Sequence, residues 1–136
     1  GKTNRFRAAV AVNPVINWLS IVLTADLDKL MANYWFTELP WENPMKYWSH
    51  SPLSLVGNVT TPTMLMNGEN DWRTPIWEAE QYFNALQIQG VETALVRVPG
   101  AGHWIEYRPS QLIAKVNAVL AWFERFSDVP TLAGEE

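Results

Sequence analysis

Three short apolar runs, each bounded by turn residues, constrain this chain more than any other feature. They are Ala8–Asn13 (AAVAVN), Thr63–Asn67 (TMLMN) and Thr93–Val98 (TALVRV), and they read as buried strands. A helix is expected between the second and third. Pro75 suits its first turn, Ile76, Ala79, Phe83 and Leu86 fall on one face, and Gly90 suits its C-terminal stop. Another follows the third run, opened by Pro109, with Leu112, Ile113, Val116, Val119, Leu120 and Phe123 along one side. Strands that alternate with helices in this way pair in parallel through right-handed crossovers, so the fold class is α/β. The run Ala8–Asn13 shows no polar alternation and reads as an interior strand with a neighbour on each side.

The first two runs are separated by a long aromatic excursion, Val15 to Thr61, in which Asn43 followed by Pro44 can start a short helix. Residues 1–126 form one partial α/β domain in this reading. The polar stretch Ser127–Glu136, with Pro130 and Gly134, is expected to be a flexible C-terminal tail.

At 136 residues the chain holds one domain at most. A net charge of -4 excludes partners that need a basic face, nucleic acid and anionic membrane surfaces among them. The most apolar stretch, Ala8 to Leu23, is interrupted by Asn13, Pro14, Asn17 and Ser20 and does not read as a membrane span. With no cysteine there is neither disulfide nor thiolate chemistry, and the compartment stays open, leaning to the cytoplasm. Two isolated histidines lack metal-ligand spacing, so no metal or cofactor is expected.

In parallel sheets, reactive groups gather beyond the carboxyl ends of the strands. Two loops stand out there. Gly68-Glu69-Asn70-Asp71-Trp72-Arg73-Thr74-Pro75 follows the second run, and Pro99-Gly100-Ala101-Gly102-His103-Trp104 follows the third. An Asp in such a turn is more often a cap, and a lone His beside Trp is more often structural. It is the pair, on successive strand ends and in the order acid then base, that points to two members of a Ser-Asp-His triad. Such an imidazole takes the proton of a weakly nucleophilic serine as it attacks, while the carboxylate orients the ring. None of Ser20, Ser49, Ser51, Ser54, Ser110 and Ser127 sits in a Gly-x-Ser-x-Gly elbow, so the nucleophile is expected outside this chain, which alone should be inactive. His50 reads as structural or exposed. The aromatic excursion is mostly core or lid by composition; its functional reading is the wall of an apolar substrate pocket, formed by Tyr34, Trp35 and Phe36.

Several segments carry a family resemblance. Glu38-Leu39-Pro40-Trp41-Glu42-Asn43-Pro44, Tyr47-Trp48, Ser51-Pro52-Leu53-Ser54 and Val59-Thr60-Thr61-Pro62-Thr63 resemble the prolyl oligopeptidase family of serine peptidases, in its acylaminoacyl-peptidase and dipeptidyl-peptidase branch. So do Asn67–Pro75, Gln81–Leu86 with Gly90-Val91, Val96–Gly100 and Arg108-Pro109-Ser110. The resemblance implies the C-terminal portion of an α/β-hydrolase fold, with Asp71 as triad acid and His103 as base. It also implies a serine shortly before Gly1 and a β-propeller domain further upstream. Where members often carry Glu or Asp before the histidine, this chain has Ala101-Gly102. The substrate would be a short peptide or an acylated amino terminus. A carboxylesterase using the same triad and a non-catalytic binding module are the alternatives. An unpaired apolar edge at Ala8–Asn13 would also lead the isolated chain to self-associate, so a homo-oligomer is in view.

Overall fold

The computed structural model describes residues 1–27, 30 and 32–127. All but the first residue of the expected tail, residues 128–136, therefore lies outside the described residues. Three strands, β1 (Ala9–Val12), β2 (Thr63–Gly68) and β3 (Thr93–Val98), form one parallel sheet in the order β1-β2-β3. Val12 stands opposite Met66, and Asn67 opposite Arg97, so the three carboxyl ends lie at one edge of the sheet.

Every residue of β2 is buried, as the centre of a sheet covered on both faces requires. Met64 and Met66 join Val98, Ala101, Ile105 and Trp122 in one core cluster, while Leu65, pointing to the other face, is also fully buried. Among the described residues β1 pairs with β2 alone and is only half-buried. The expected interior strand is thus an edge strand here, its apolar character left open on one side.

The excursion folds into short helices around a second core. Helix α1 (Trp18–Thr24) is capped by the Asn17 side chain, which accepts from the Leu19 amide at 3.0 Å. A π-helical turn (Ala32–Phe36) follows, and then α2 (Pro44–His50), which starts at the Asn43-Pro44 pair with Asn43 accepting from the Lys46 amide. Ile21, Val22, Ala25, Phe36 and Tyr47 pack together, with the Phe36 and Tyr47 rings stacked at 4.0 Å.

Helix α3 (Ile76–Ile88) packs on β2 and β3, and Gly90 closes it at φ +71°, a left-handed conformation that glycine adopts without strain. Helix α4 (Pro109–Arg125) departs from the sequence expectation. Leu112, Ile113, Val116, Leu120 and Phe123 are exposed, and the buried line runs through Trp122 with Ala118 and Val119 partly buried beside it. Through that line the helix packs on residues of all three strands, and the apolar stripe beside it has no sheet beneath. Among the described residues no helix is long and apolar enough to cross a membrane.

Candidate active site

The site begins where β2 ends. Beyond Gly68 the chain turns through Glu69–Pro75 before α3, and Asp71 closes that turn on itself. Its Oδ1 accepts the main-chain amides of Arg73 (2.8 Å) and Thr74 (2.9 Å), and its Oδ2 accepts the Thr74 hydroxyl at 2.9 Å. The residue is 2% exposed. A carboxylate so buried needs donors on both oxygens, and the turn supplies them.

The fourth partner comes from the next strand. His103 Nδ1 lies 3.0 Å from Asp71 Oδ2, and the ring is partly exposed, edge-on to Trp104. Two features bring the loops together. Main-chain bonds run from Glu69 N to Val98 O and from Asn70 N to Ala101 O. Gly68 also approaches so closely that a Cβ there would stand 2.4 Å from the Ala101 carbonyl oxygen and 2.6 Å from that of Gly102. Gly100, at φ +65°, turns the chain toward the histidine.

With a carboxylate against Nδ1, the neutral ring carries its proton there, leaving the Nε2 lone pair to accept a proton from an alcohol. No hydrogen bond to Nε2 is formed by the described residues. The ring edges a cavity of about 220 Å³ shared with Gly100, Gly102, Trp104, Tyr107 and Arg108. A larger cavity, about 700 Å³, includes Ala9 and Thr63, where β1 and β2 begin. It belongs to the opposite end of the sheet from the Asp71–His103 pair, and its size is no guide to the chemistry. His50, on its rim, is exposed with Nδ1 2.7 Å from the Lys46 carbonyl.

The structure sorts the three aromatic candidates by depth. Tyr34 and Trp35 are exposed, Trp35 edge-on to Trp18 of α1, whereas Phe36 is 4% exposed inside the second core. A link from this region to the Asp71 turn exists on the far side of α1. The Asp26 amide donates to the Trp72 carbonyl, and the Asp26 carboxylate pairs with Arg73 at 2.6 Å, holding the guanidinium above its usual value. On the histidine side, Lys115 holds the Glu106 carboxyl below the usual range. Among the described residues no group of three or more His, Asp or Glu could hold a metal ion.

Two asparagines escaped the sequence reading. Asn13, after β1, donates its side-chain amide to the His103 carbonyl, and Asn67, in β2, donates to the Thr74 carbonyl at 2.9 Å. Each closes an apolar run, where a polar residue invites the question of what it binds.

Residues 1–129 match the model of the prolyl oligopeptidase family. The uncharacterized peptidase YuxL of Bacillus subtilis (strain 168) is 39% identical over 127 residues, covering 92% of this chain and 19% of that protein. The acylamino-acid-releasing enzyme of Arabidopsis thaliana is 31% identical over 130 residues, covering 90% of this chain and 17% of that one. Among solved structures, the Pyrococcus horikoshii acylaminoacyl peptidase superposes with a TM-score of 0.87 at 21% identity, over 98% of this chain and 22% of its own. That likeness shows the α/β-hydrolase fold; the chain spans about a fifth of the length of each of these relatives. With a family match that takes in the sheet, the helices and both site loops, this chain belongs to the prolyl oligopeptidase family.

Proposed function

We propose that this chain supplies the acid and the base of a serine peptidase, His103 acting as general base and then general acid, and Asp71 orienting it. The observation that carries the reading is the 3.0 Å contact between His103 Nδ1 and the buried Oδ2 of Asp71, beyond the ends of adjacent parallel strands. In the reaction, Nε2 takes the serine proton as the serine oxygen attacks the scissile carbonyl. The imidazolium, stabilised by Asp71, returns that proton to the leaving amine. Water then attacks the acyl carbonyl as it gives its proton to Nε2; the bond from that carbonyl to the serine oxygen breaks, and the imidazolium returns the proton to the serine, freeing the carboxylic acid. The serine and the oxyanion donors lie elsewhere in the whole protein, as does a β-propeller domain.

Relatives named for acylaminoacyl release favour short peptides or acylated amino termini as the substrate class. Tyr34 and Trp35 would offer it an exposed apolar wall, with Phe36 as their buried support. The test is turnover by the full-length protein of acyl-peptide anilides beside simple p-nitrophenyl esters. His103→Ala and Asp71→Ala should each lower kcat roughly 10⁴-fold or more, because triad members act as a unit. Near-normal turnover by His103→Ala ends the proposal. Activity confined to the esters would replace peptidase by carboxylesterase.

A further inference from the structure

We infer that Thr74 is a positioning residue for the base, acting through its hydroxyl; the inference rests on the triad reading above. Three atoms form a closed triangle in the site. Thr74 Oγ1 lies 2.9 Å from Asp71 Oδ2 and 3.3 Å from His103 Nδ1, and the third side is the 3.0 Å Nδ1–Oδ2 contact. Thr74 is 5% exposed, so water does not compete freely for its hydroxyl.

The directions of these bonds follow from donor and acceptor capacity. A carboxylate only accepts, so the hydroxyl proton goes to Oδ2. The lone pairs of Oγ1 then face Nδ1. Both oxygens nearest Nδ1 are therefore acceptors, and the ring proton belongs on that nitrogen. The hydroxyl contributes in two ways. It fixes the carboxylate oxygen that the imidazole uses, and it gives the Nδ1 proton a second, longer branch that resists rotation of a ring with an exposed edge. Main-chain geometry holds Thr74 in turn, through its own amide on Asp71 Oδ1 and its carbonyl under the Asn67 amide.

A bland role is also available to this residue, since its methyl group fills buried space beside the turn. Two substitutions separate the roles because they predict opposite patterns. Thr74→Val keeps shape and loses the hydroxyl; Thr74→Ser keeps the hydroxyl and loses the methyl. In the full-length enzyme, on a substrate it turns over, Thr74→Val should lower kcat about tenfold or more with KM within about twofold, and Thr74→Ser should restore kcat to within about threefold of the parent. Circular dichroism and melting curves check that both variants are folded. If the valine variant does not fold, Thr74→Ala takes its place against the serine variant.

Normal kcat in the valine variant, or a serine variant as impaired as the valine one, overturns the inference. His103→Ala, assayed alongside, separates the role of Thr74 from that of the triad. If it abolishes turnover while Thr74→Val leaves kcat normal, only the role of Thr74 falls. If it retains turnover, the triad reading falls and this inference with it.

Discussion

Asn13 donates its side-chain amide to the main-chain carbonyl of His103, ninety residues further along the chain. Asn13 directly follows β1 and its own main-chain amide bonds to Met66 O, while Asn67 follows Met66 within β2, so the two asparagines stand side by side at the carboxyl end of the sheet. Asn67 does for the Thr74 carbonyl what Asn13 does for that of His103. Since a carbonyl can only accept, each amide must present its nitrogen. One strand end thus holds the His103 loop, and its neighbour holds the Asp71 turn. The relative position of the two is set by the hydrogen-bonded register of β1 on β2.

Asn13 adopts φ 47°, a left-handed conformation that asparagine and glycine tolerate. Asn13→Gly therefore removes the side-chain bond while sparing the backbone. The stability lost should be on the order of 1 kcal/mol, a typical value for one hydrogen bond. Turnover should suffer more. A shift of the histidine loop by a fraction of an ångström should lower kcat roughly tenfold with KM little changed. Steady-state kinetics and thermal melts of the full-length protein check both, and unchanged kcat would show that the loop holds its place without Asn13.

Gly68 offers a second handle on the same geometry. Its φ is not in the left-handed region; the demand for glycine is one of space, because a Cβ would meet two carbonyl oxygens of the histidine loop at 2.4 and 2.6 Å. Backbone atoms cannot swing aside as a side-chain tip can. Gly68→Ala should push Ala101–His103 away from β2 and lengthen the Asp71–His103 contact. We expect a loss of about 1–3 kcal/mol of stability, the usual cost of overpacking, with a fall in kcat of tenfold or more. A crystal structure of the variant with that contact still near 3.0 Å would refute the account.

Much of this architecture is legible in the sequence, and the reasons are local. Apolar runs such as TMLMN announce a central strand because burial on both faces leaves no place for polar alternation. Pro75 and Gly90 mark the ends of α3 because each restricts or frees φ where a helix starts or stops. Asp71 and His103 could be paired because parallel topology places successive loops at one edge. Tertiary features are less accessible. The exposed stripe of α4 repeats at helical spacing, and periodicity cannot tell which side of a helix finds a partner. The same limit hid Phe36 in the core. Asn13 and Thr74 act on a histidine loop distant in sequence, Asn67 bridges the turn after its own strand, and no spacing rule connects them to their partners.

Glu78 was the least legible residue of all. It sits in the first turn of α3, where an acidic side chain is ordinarily a solvated complement to the helix dipole. Here it is fully buried. Its Oε2 accepts the main-chain amides of Ile16 (3.0 Å) and Asn17 (2.8 Å), and its Oε1 takes the Ser20 hydroxyl and Gln81 Nε2. The carboxylate thereby ties the segment between β1 and α1 to α3, a few residues beyond Asn13. Glu78→Ala strands two main-chain donors in a dry site and should cost about 3 kcal/mol or more; hydrogen bonds to a charged group are worth roughly 1.5–3 kcal/mol each before the desolvation of unpaired amides is added. Glu78→Gln keeps the shape and one acceptor oxygen, so its cost should be smaller, about 1–3 kcal/mol. Denaturant unfolding of the full-length protein would rank the two variants. If glutamine destabilised as much as alanine, negative charge rather than acceptor geometry would be what holds the segment. If neither variant were destabilised, the main-chain amides of Ile16 and Asn17 would have found other partners, and the buried carboxylate would have no structural role.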